Sequence, residues 1–315
     1  MPRRFIRSSF FAAIFLAGVV STGRGQGISR SVDRAQLLRN QQPTLREESG
    51  TNSETEGVAP ASPNDPDLGE QAILKRTDQY QPWSIVVSAP VSYTSNVALV
   101  PVGEKSDTLF TPLFAVSYAP RITRSLYANF SVSQQMFYYD RFTALNFGSF
   151  DAHAGVSYSV PQWHDLIFRA GYSYNRLTNT DFNEFFSSHS LVGGAELPFR
   201  IGRAQQISVG VDTSINLDSE PAPPGRNEYS AFFGYTAQVA RNLTFNAVVR
   251  LAVRDYTDLD RTDVSEILAV SATYYFRPWL SLNVAATYAH NDSNRDVFDY
   301  DVGNGGGAVS VNFRF

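Results

Sequence analysis

Ionisable side chains occur singly within segments whose apolar residues alternate with small or polar ones. Arg250 and Arg254, for example, lie an even number of positions apart within the run Leu243–Tyr256. Because successive side chains of a strand point to opposite faces, both arginines share the face opposite the apolar residues. The candidates with this parity are Asp151, His153, Arg169, Glu196, Asp212, Arg250, Arg254 and Arg314. On one face of a closed sheet, they would line a pore and tune which solutes pass.

The signs of these candidate pore-lining residues are mixed, with arginine in slight excess, which predicts weak selectivity that leans towards anions. The same charges could instead form salt bridges that brace a closed barrel. Apolar residues on the inward face favour partial occlusion of the lumen, and they are Leu109, Leu113, Phe137, Ile167, Phe232 and Val248. A passive or gated channel for small polar or anionic solutes is therefore the first hypothesis. A non-conducting barrel that presents its tail or its loops to partners is the alternative.

Catalysis is a third hypothesis, and it requires a nucleophile with a base or paired carboxylates with a histidine. The candidates are His153, His164, His189 and His290, with the pairs Asp258/Asp260 and Asp299/Asp301. His153 has Asp151 two positions away, which favours a structural hydrogen bond, and His290 begins a polar stretch typical of a loop. The aspartate pairs could bind a divalent cation through oxygen ligands, but they lack a complete loop motif. We therefore predict no catalytic residue, no metal site and no cofactor.

The elements that would position these residues are about twelve strands between Trp83 and Phe315. The second predicted strand is Thr108–Tyr118, and the last is Gly305–Phe315, which ends on an aromatic residue. Short and longer connections alternate between the strands, and the longer ones include Thr257–Asp263 and Asp292–Asn304. An even strand number with short turns at one end is typical of bacterial outer-membrane barrels, whose short turns and termini are periplasmic.

The alternation distinguishes this architecture from a soluble β-sandwich, which also alternates but buries its apolar face between two sheets. No charged residue falls mid-strand on the apolar face, where Arg or Lys would cost about 2–4 kcal/mol against lipid. A sheet in lipid must also close, because every backbone N–H and C=O needs a partner. The predicted fold class is all-β: a single antiparallel transmembrane β-barrel of about twelve strands.

The N-terminal part of the chain differs in texture from this barrel region. Residues 1–25 combine three early arginines with an apolar stretch from Phe10 to Val20, which predicts a signal peptide. Residues 26–80 are polar and almost free of aromatics, which predicts a disordered periplasmic segment, and residues 81–315 form the barrel. Removal of the signal peptide takes away four arginines and no acids, so the formal charge changes from −4 to −8. An acidic chain argues against a nucleic-acid partner.

Aromatic residues mark the predicted membrane interfaces. All three tryptophans, Trp83, Trp163 and Trp279, fall at the predicted periplasmic rim. The predicted outer girdle consists of Tyr138, Tyr139, Tyr174, Tyr256 and Tyr288.

The chain resembles a family of outer-membrane β-barrel porins, some of which are encoded beside exopolysaccharide or capsule export machinery. The likeness covers residues from about 80 to 315. It rests on Tyr93–Val97, Arg254–Tyr256, Asp260–Asp263, Asn291–Asn294 and Phe298–Asp301. The last strand also looks like the sorting signal of the barrel-assembly machinery, with aromatics at Phe313 and Phe315, although Ser310 stands where glycine is frequent. The resemblance implies outer-membrane lipid, the assembly machinery and polysaccharide-export components as partners.

Overall fold

The computed structural model describes residues 30–35, 81–201 and 204–315. The predicted signal peptide and most of the segment 26–80 lie outside the described residues. Residues 30–35 form a helical segment. Among the residues that the structure describes, no helix has the length and apolar character needed to cross a membrane.

Thirteen strands follow from Trp83 onwards within the described residues. In chain order they are β1 (Trp83–Thr94), β2 (Asp107–Phe110), β3 (Leu113–Tyr118), β4 (Leu126–Tyr139), β5 (Phe147–Val160), β6 (Leu166–Thr178), β7 (Glu184–Arg200), β8 (Gln205–Glu220), β9 (Arg226–Ala240), β10 (Leu243–Tyr256), β11 (Arg261–Arg277), β12 (Leu280–Ser293) and β13 (Tyr300–Arg314). Short 3₁₀ turns occupy Thr143–Leu145, Pro161–Trp163 and Asp296–Phe298.

The strands form one antiparallel sheet in which β2 and β3 both pair with β1 and β4, each strand from β4 to β12 pairs with the next, and β13 pairs with β1. The closing pairing runs from Ser84 opposite Arg314 to Thr94 opposite Asn304. At its end, Trp83 and Phe315 exchange backbone hydrogen bonds of 3.0 and 3.1 Å. The predicted closed barrel is confirmed, and closure leaves no free sheet edge.

One of the twelve predicted strands is divided in two. Thr108–Tyr118 was expected to be continuous, but it forms β2 and β3, which both lie between β1 and β4. The break falls at Thr111 and Pro112, where a proline lacks the N–H that a continuous ladder requires. The barrel therefore has twelve strand positions around its wall, and β2 and β3 together fill one of them.

At one end of the barrel the connections are short and include 241–242 and 278–279; we call this the short-turn end. At the other end, the loop end, the connections include 95–106 and 140–146. Two loop predictions were too long. β11 begins at Arg261 within the predicted loop Thr257–Asp263, and β12 and β13 take up most of Asp292–Asn304. Polar residues there face one another on the inner wall, which allows the ladder to continue: Asn291 Nδ2 donates to Asp263 Oδ2 at 3.3 Å.

The buried core lies inside the barrel at the loop end. The first loop, 95–106, turns inward and buries Asn96, Val97 and Leu99. The Asn96 side-chain amide donates to the backbone oxygens of Val100 and Asp301 at 2.8 and 3.0 Å. The loop therefore fills part of the lumen.

Candidate functional site: the loop end of the lumen

Residues 30–35, which we call the lumen helix, lie inside the barrel at its loop end. Arg30 donates from Nη2 to the backbone oxygen of Val297 at 3.1 Å, and Arg34 donates from Nη1 to that of Val97 at 3.2 Å. Both acceptors belong to loops of the barrel. These six residues form a helix within the segment 26–80 that the sequence predicts to be disordered. The reason is that both faces of the helix have partners inside the barrel.

One face of the lumen helix is apolar. Val32 and Ala35 are buried and pack into a cluster with inward-facing residues of the wall and the first loop. The other members are Val97, Leu109, Phe137, Tyr139, Phe147, Leu177 and Phe186. Leu109 and Phe137, two of the inward apolar residues that the sequence predicts to narrow the lumen, belong to this cluster. Burial of a valine-sized side chain contributes about 1.5–3 kcal/mol, which favours docking.

The opposite face of the helix carries Asp33, which is 2% exposed. Its carboxylate forms an ion pair with Arg226, and a second guanidinium, that of Arg261, lies 3.8 Å away. The Tyr256 hydroxyl donates to Asp33 Oδ1 at 3.5 Å and accepts from Arg226 Nη1 at 2.7 Å. Asp33 thus joins the helix to the starts of β9 and β11 and the end of β10.

The arginines that receive Asp33 are held rigidly. The Arg261 guanidinium lies 4.0 Å from the Tyr256 ring and 3.5 Å from the Phe298 ring, and its Nε donates to Asp263 at 2.8 Å. Stacking on two aromatic faces suits a desolvated guanidinium. Nearby, Arg254 is 2% exposed and pairs with Glu228 at 3.1 Å. We call Arg226, Arg254 and Arg261 the arginine cluster.

The charge state of Asp33 follows from this environment. Burial alone would raise the pKa of its carboxyl, but Arg226, Arg254 and Arg261 together hold that pKa below its ordinary value of 3.8. Asp33 is therefore ionised at neutral pH, and the buried attraction between helix and wall is complete there.

Four of the predicted pore-lining residues form a continuous row of charges along the wall. Arg169 on β6 pairs with Glu196 on β7 at 2.9 Å and with Asp212 on β8 at 3.8 Å. Asp212 also lies 3.7 Å from Arg250 on β10, whose guanidinium stands 5.8 Å from the Phe232 ring. This row, the wall ladder, has alternating signs. Its salt bridges follow the wall, joining β6 to its neighbour β7 and linking β6 to β8 and β8 to β10 across one intervening strand each.

The other four candidates also lie on the inward face. Asp151 accepts from Asn175 at 2.8 Å and Ser149 at 3.1 Å. A Cβ at Gly171 would lie 2.7 Å from the His153 ring, so the absence of side chains there makes room for the imidazole. Arg314 lies at the short-turn end, whereas Arg254 is buried in the arginine cluster.

Comparisons with known proteins assign this barrel to a family. A family model described as "Putative beta-barrel porin 2" matches residues 125–314, which is more than half of the chain. The chain belongs to this porin family. A search of the curated proteins gives no match.

A solved outer-membrane channel shares the fold of this porin-family barrel. An outer-membrane channel from Pseudomonas putida F1 is similar with a TM-score of 0.56 at 10% identity, over 75% of this chain and 96% of that one. The KdgM porin has a TM-score of 0.41 at 9% identity over 72% of this chain and 99% of its own. The translocator domain of the autotransporter NalP from Neisseria meningitidis has a TM-score of 0.41 at 13% identity, over 79% and 95%. The family match and the fold of the Pseudomonas putida channel show that the chain is an outer-membrane barrel with a porin-like channel fold, surrounded by lipid.

The outer surface of the porin-family barrel carries exposed aromatics at both ends. Trp83, Trp163 and Trp279 all lie at the short-turn end and are 41–61% exposed. At the loop end, Tyr138 and Tyr288 face outward, but Tyr139 and Tyr256 are buried inside, contrary to the predicted girdle. Tyr139 follows an outward residue directly and so points inward, and Tyr256 has the inward parity of Arg254.

The two terminal aromatics, Phe313 and Phe315, also face outward and are more than half exposed. Phe313 stacks with Trp279 at a centroid separation of 6.2 Å. Phe313 and Phe315 both lie beside the β1–β13 pairing that closes the barrel. This position is compatible with a role in assembly, which stays a prediction.

The residues considered for catalysis are dispersed. His290 and Tyr288 both contact Asp301, at 2.9 and 2.6 Å, on the outer face, whereas Asp299 accepts from the Ser293 backbone. The His189 ring contacts Tyr172. Within 30–35, 81–201 and 204–315, no three His, Asp or Glu side chains are grouped to hold a metal ion. The family and the fold are those of a channel.

Sequence reasoning missed the site that joins these features at the loop end. Arg261 falls within the predicted loop Thr257–Asp263, and no pattern in the sequence places residues 30–35 inside the barrel. A signal was present, because Arg261, Asp263 and Ser265 continue the inward parity of β11. The apolar residue Leu99, in the loop predicted at Ala98–Asp107, is a second signal.

Proposed function

We propose that this protein is a gated channel for small polar and anionic solutes, closed at its loop end by the lumen helix. The observation that carries the proposal is the buried ion pair between Asp33 and Arg226. A helix held in the lumen by one ionic face and one apolar face can dock and undock as a unit. Undocking exposes the arginine cluster, while the wall ladder lines the path beyond it.

The direction of the barrel in the membrane is part of the proposal. We infer that the short-turn end, with the start of β1 and the end of β13, is periplasmic, as in bacterial barrels generally. The lumen helix then closes the extracellular mouth. Delivery to the membrane would use the barrel-assembly machinery acting on the last strand, with Phe313 and Phe315 as its signal. A link to polysaccharide-export components is a further expectation, which the resemblance alone supports.

Acid is expected to open the channel. Because the pKa of Asp33 is lowered in the docked state, its contribution to docking is complete above the ordinary aspartate pKa and is lost as pH falls through the docked value. The frequency of conductance steps in single-channel recordings should therefore rise several-fold below about pH 4. The charged and titratable groups that surround Asp33 and its arginine partners are Arg226, Arg254, Arg261, Tyr256, Tyr300, Asp263 and Glu228 from the wall, and Arg30 and Arg34 from the helix.

The measurement is single-channel recording of the refolded protein in a planar bilayer across this pH range. An Asp33→Asn variant serves as control, since its step frequency should not respond to acid through position 33. Rare steps at neutral pH and frequent steps in acid would support the gated channel. Complete silence at every pH, from protein shown by gel shift to be folded, would support the non-conducting alternative instead.

A further inference from the structure

We infer that the arginine cluster is a binding site for the carboxylate of a solute, and that Asp33 occupies it as an internal substitute. The geometry that points to this is a single carboxylate within reach of two guanidiniums and a phenol. Arg226, at the start of β9, and Arg261, at the start of β11, both form ion pairs with the Asp33 carboxylate. The Tyr256 hydroxyl donates to Asp33 Oδ1 at 3.5 Å. The inference rests on the proposed gate, because only an undocked helix leaves the site open.

The cluster has the features of a preorganised anion site. Arg261 is fully buried between the Tyr256 and Phe298 rings and is oriented by Asp263, so its guanidinium is fixed before any ligand arrives. Arg226 Nη1 donates a hydrogen bond to the Tyr256 hydroxyl at 2.7 Å, which orients the Arg226 guanidinium in the same way. Such rigidity lowers the entropy cost of binding. Guanidiniums in planar forks match carboxylates in particular, because two N–H groups can face two oxygens.

The wall opposite the cluster defines the rest of the ligand. The docked helix reaches from Asp33 at the arginines to Val32 and Ala35 among Leu109, Phe137 and Phe147. A solute in its place would have a carboxylate at one end and a body with an apolar face at the other. A monosaccharide acid has this form, since its ring presents C–H groups on one face and carries a single carboxylate.

The test measures binding of D-glucuronate to the full chain in detergent by calorimetry, with methyl glucoside as the neutral partner that shares the ring. The Asp33→Arg variant displaces the helix by placing a cation against the cluster. We expect it to bind glucuronate at least about tenfold more tightly than the wild type does, and methyl glucoside not at all. Adding Arg226→Gln should weaken glucuronate binding by about tenfold or more.

One further variant keeps the outcome decisive. Tyr256→Phe removes only one hydroxyl from the Asp33→Arg protein and should weaken glucuronate binding by several-fold, with the barrel folded by gel shift. Equal affinity for the two sugars, or glucuronate affinity unchanged by both Arg226→Gln and Tyr256→Phe, would overturn the carboxylate site. Binding is measured without a membrane, so a folded protein that binds glucuronate but never conducts would refute the channel and leave the site standing.

Discussion

The Asp33→Arg variant should be open at neutral pH, where the wild type is mostly closed. The substitution replaces a buried carboxylate with a cation that faces Arg226, Arg261 and Arg254. Breaking a buried ion pair by changing one partner costs about 3–5 kcal/mol. In the docking equilibrium this corresponds to a factor of roughly 10²–10⁴ in favour of the undocked helix. Single-channel recordings should therefore show a large rise in open probability at the same salt and pH.

The matched control for this variant is Asp258→Arg. It makes the same change of charge at the loop end, but Asp258 lies exposed in the loop 257–260. Its open probability should remain that of the wild type. If both variants conduct alike, the general charge of the mouth controls opening and the docked helix does not.

The second large effect concerns ion selectivity in the open lumen. The wall ladder has two arginines and two acids, so its charges balance: Arg169, Glu196, Asp212 and Arg250. In the Asp33→Arg background, Arg250→Glu leaves three acids beside one arginine. Because charges lining a narrow path act on ions at close range, the cation-to-anion permeability ratio should rise several-fold. The reversal potential in a salt gradient measures this ratio.

Substitution of the neighbouring acid should have the opposite sign. Asp212→Asn in the same background leaves both arginines with one acid, and the reversal potential should move towards anions. Changes of the same sign in both variants, or no change in either, would place the ladder outside the conducting path.

Arg254 is not a suitable partner for Arg250 in such a test, although both share the inward parity. Arg254 is buried and paired with Glu228 at 3.1 Å, so Arg254→Glu would set two carboxylates together without water. The sequence places both arginines on one face but does not say how deeply each is covered. The partners of the buried Arg254 lie on other strands: its guanidinium donates to Glu228 and, at 3.4 Å, to Asn291.

The same distinction explains what could be predicted. The closed barrel and its two ends follow from alternation and connection length, because those signals are local to each strand. The inward placement of Arg169, Glu196, Asp212 and Arg250 follows from parity in the same way. The pairing of Asp33 with Arg226 joins residues 193 positions apart, and no local pattern reports such a contact. The divided second strand could have been found, since Pro112 lies in its middle.

The most direct test of the account is to cross-link the lumen helix to the loop end. The chain has no native cysteine, so Arg30→Cys and Val297→Cys form a unique pair. The Arg30 side chain spans the gap to the Val297 backbone at 3.1 Å, and a short bis-maleimide can replace it. The partner control combines Arg30→Cys with Arg124→Cys at the short-turn end. We predict a cross-link to residue 297 in membranes, none to residue 124, and a cross-linked channel that stays closed in acid. Cross-linking to residue 124 alone, or free conduction through the cross-linked protein, would contradict a gate formed by residues 30–35.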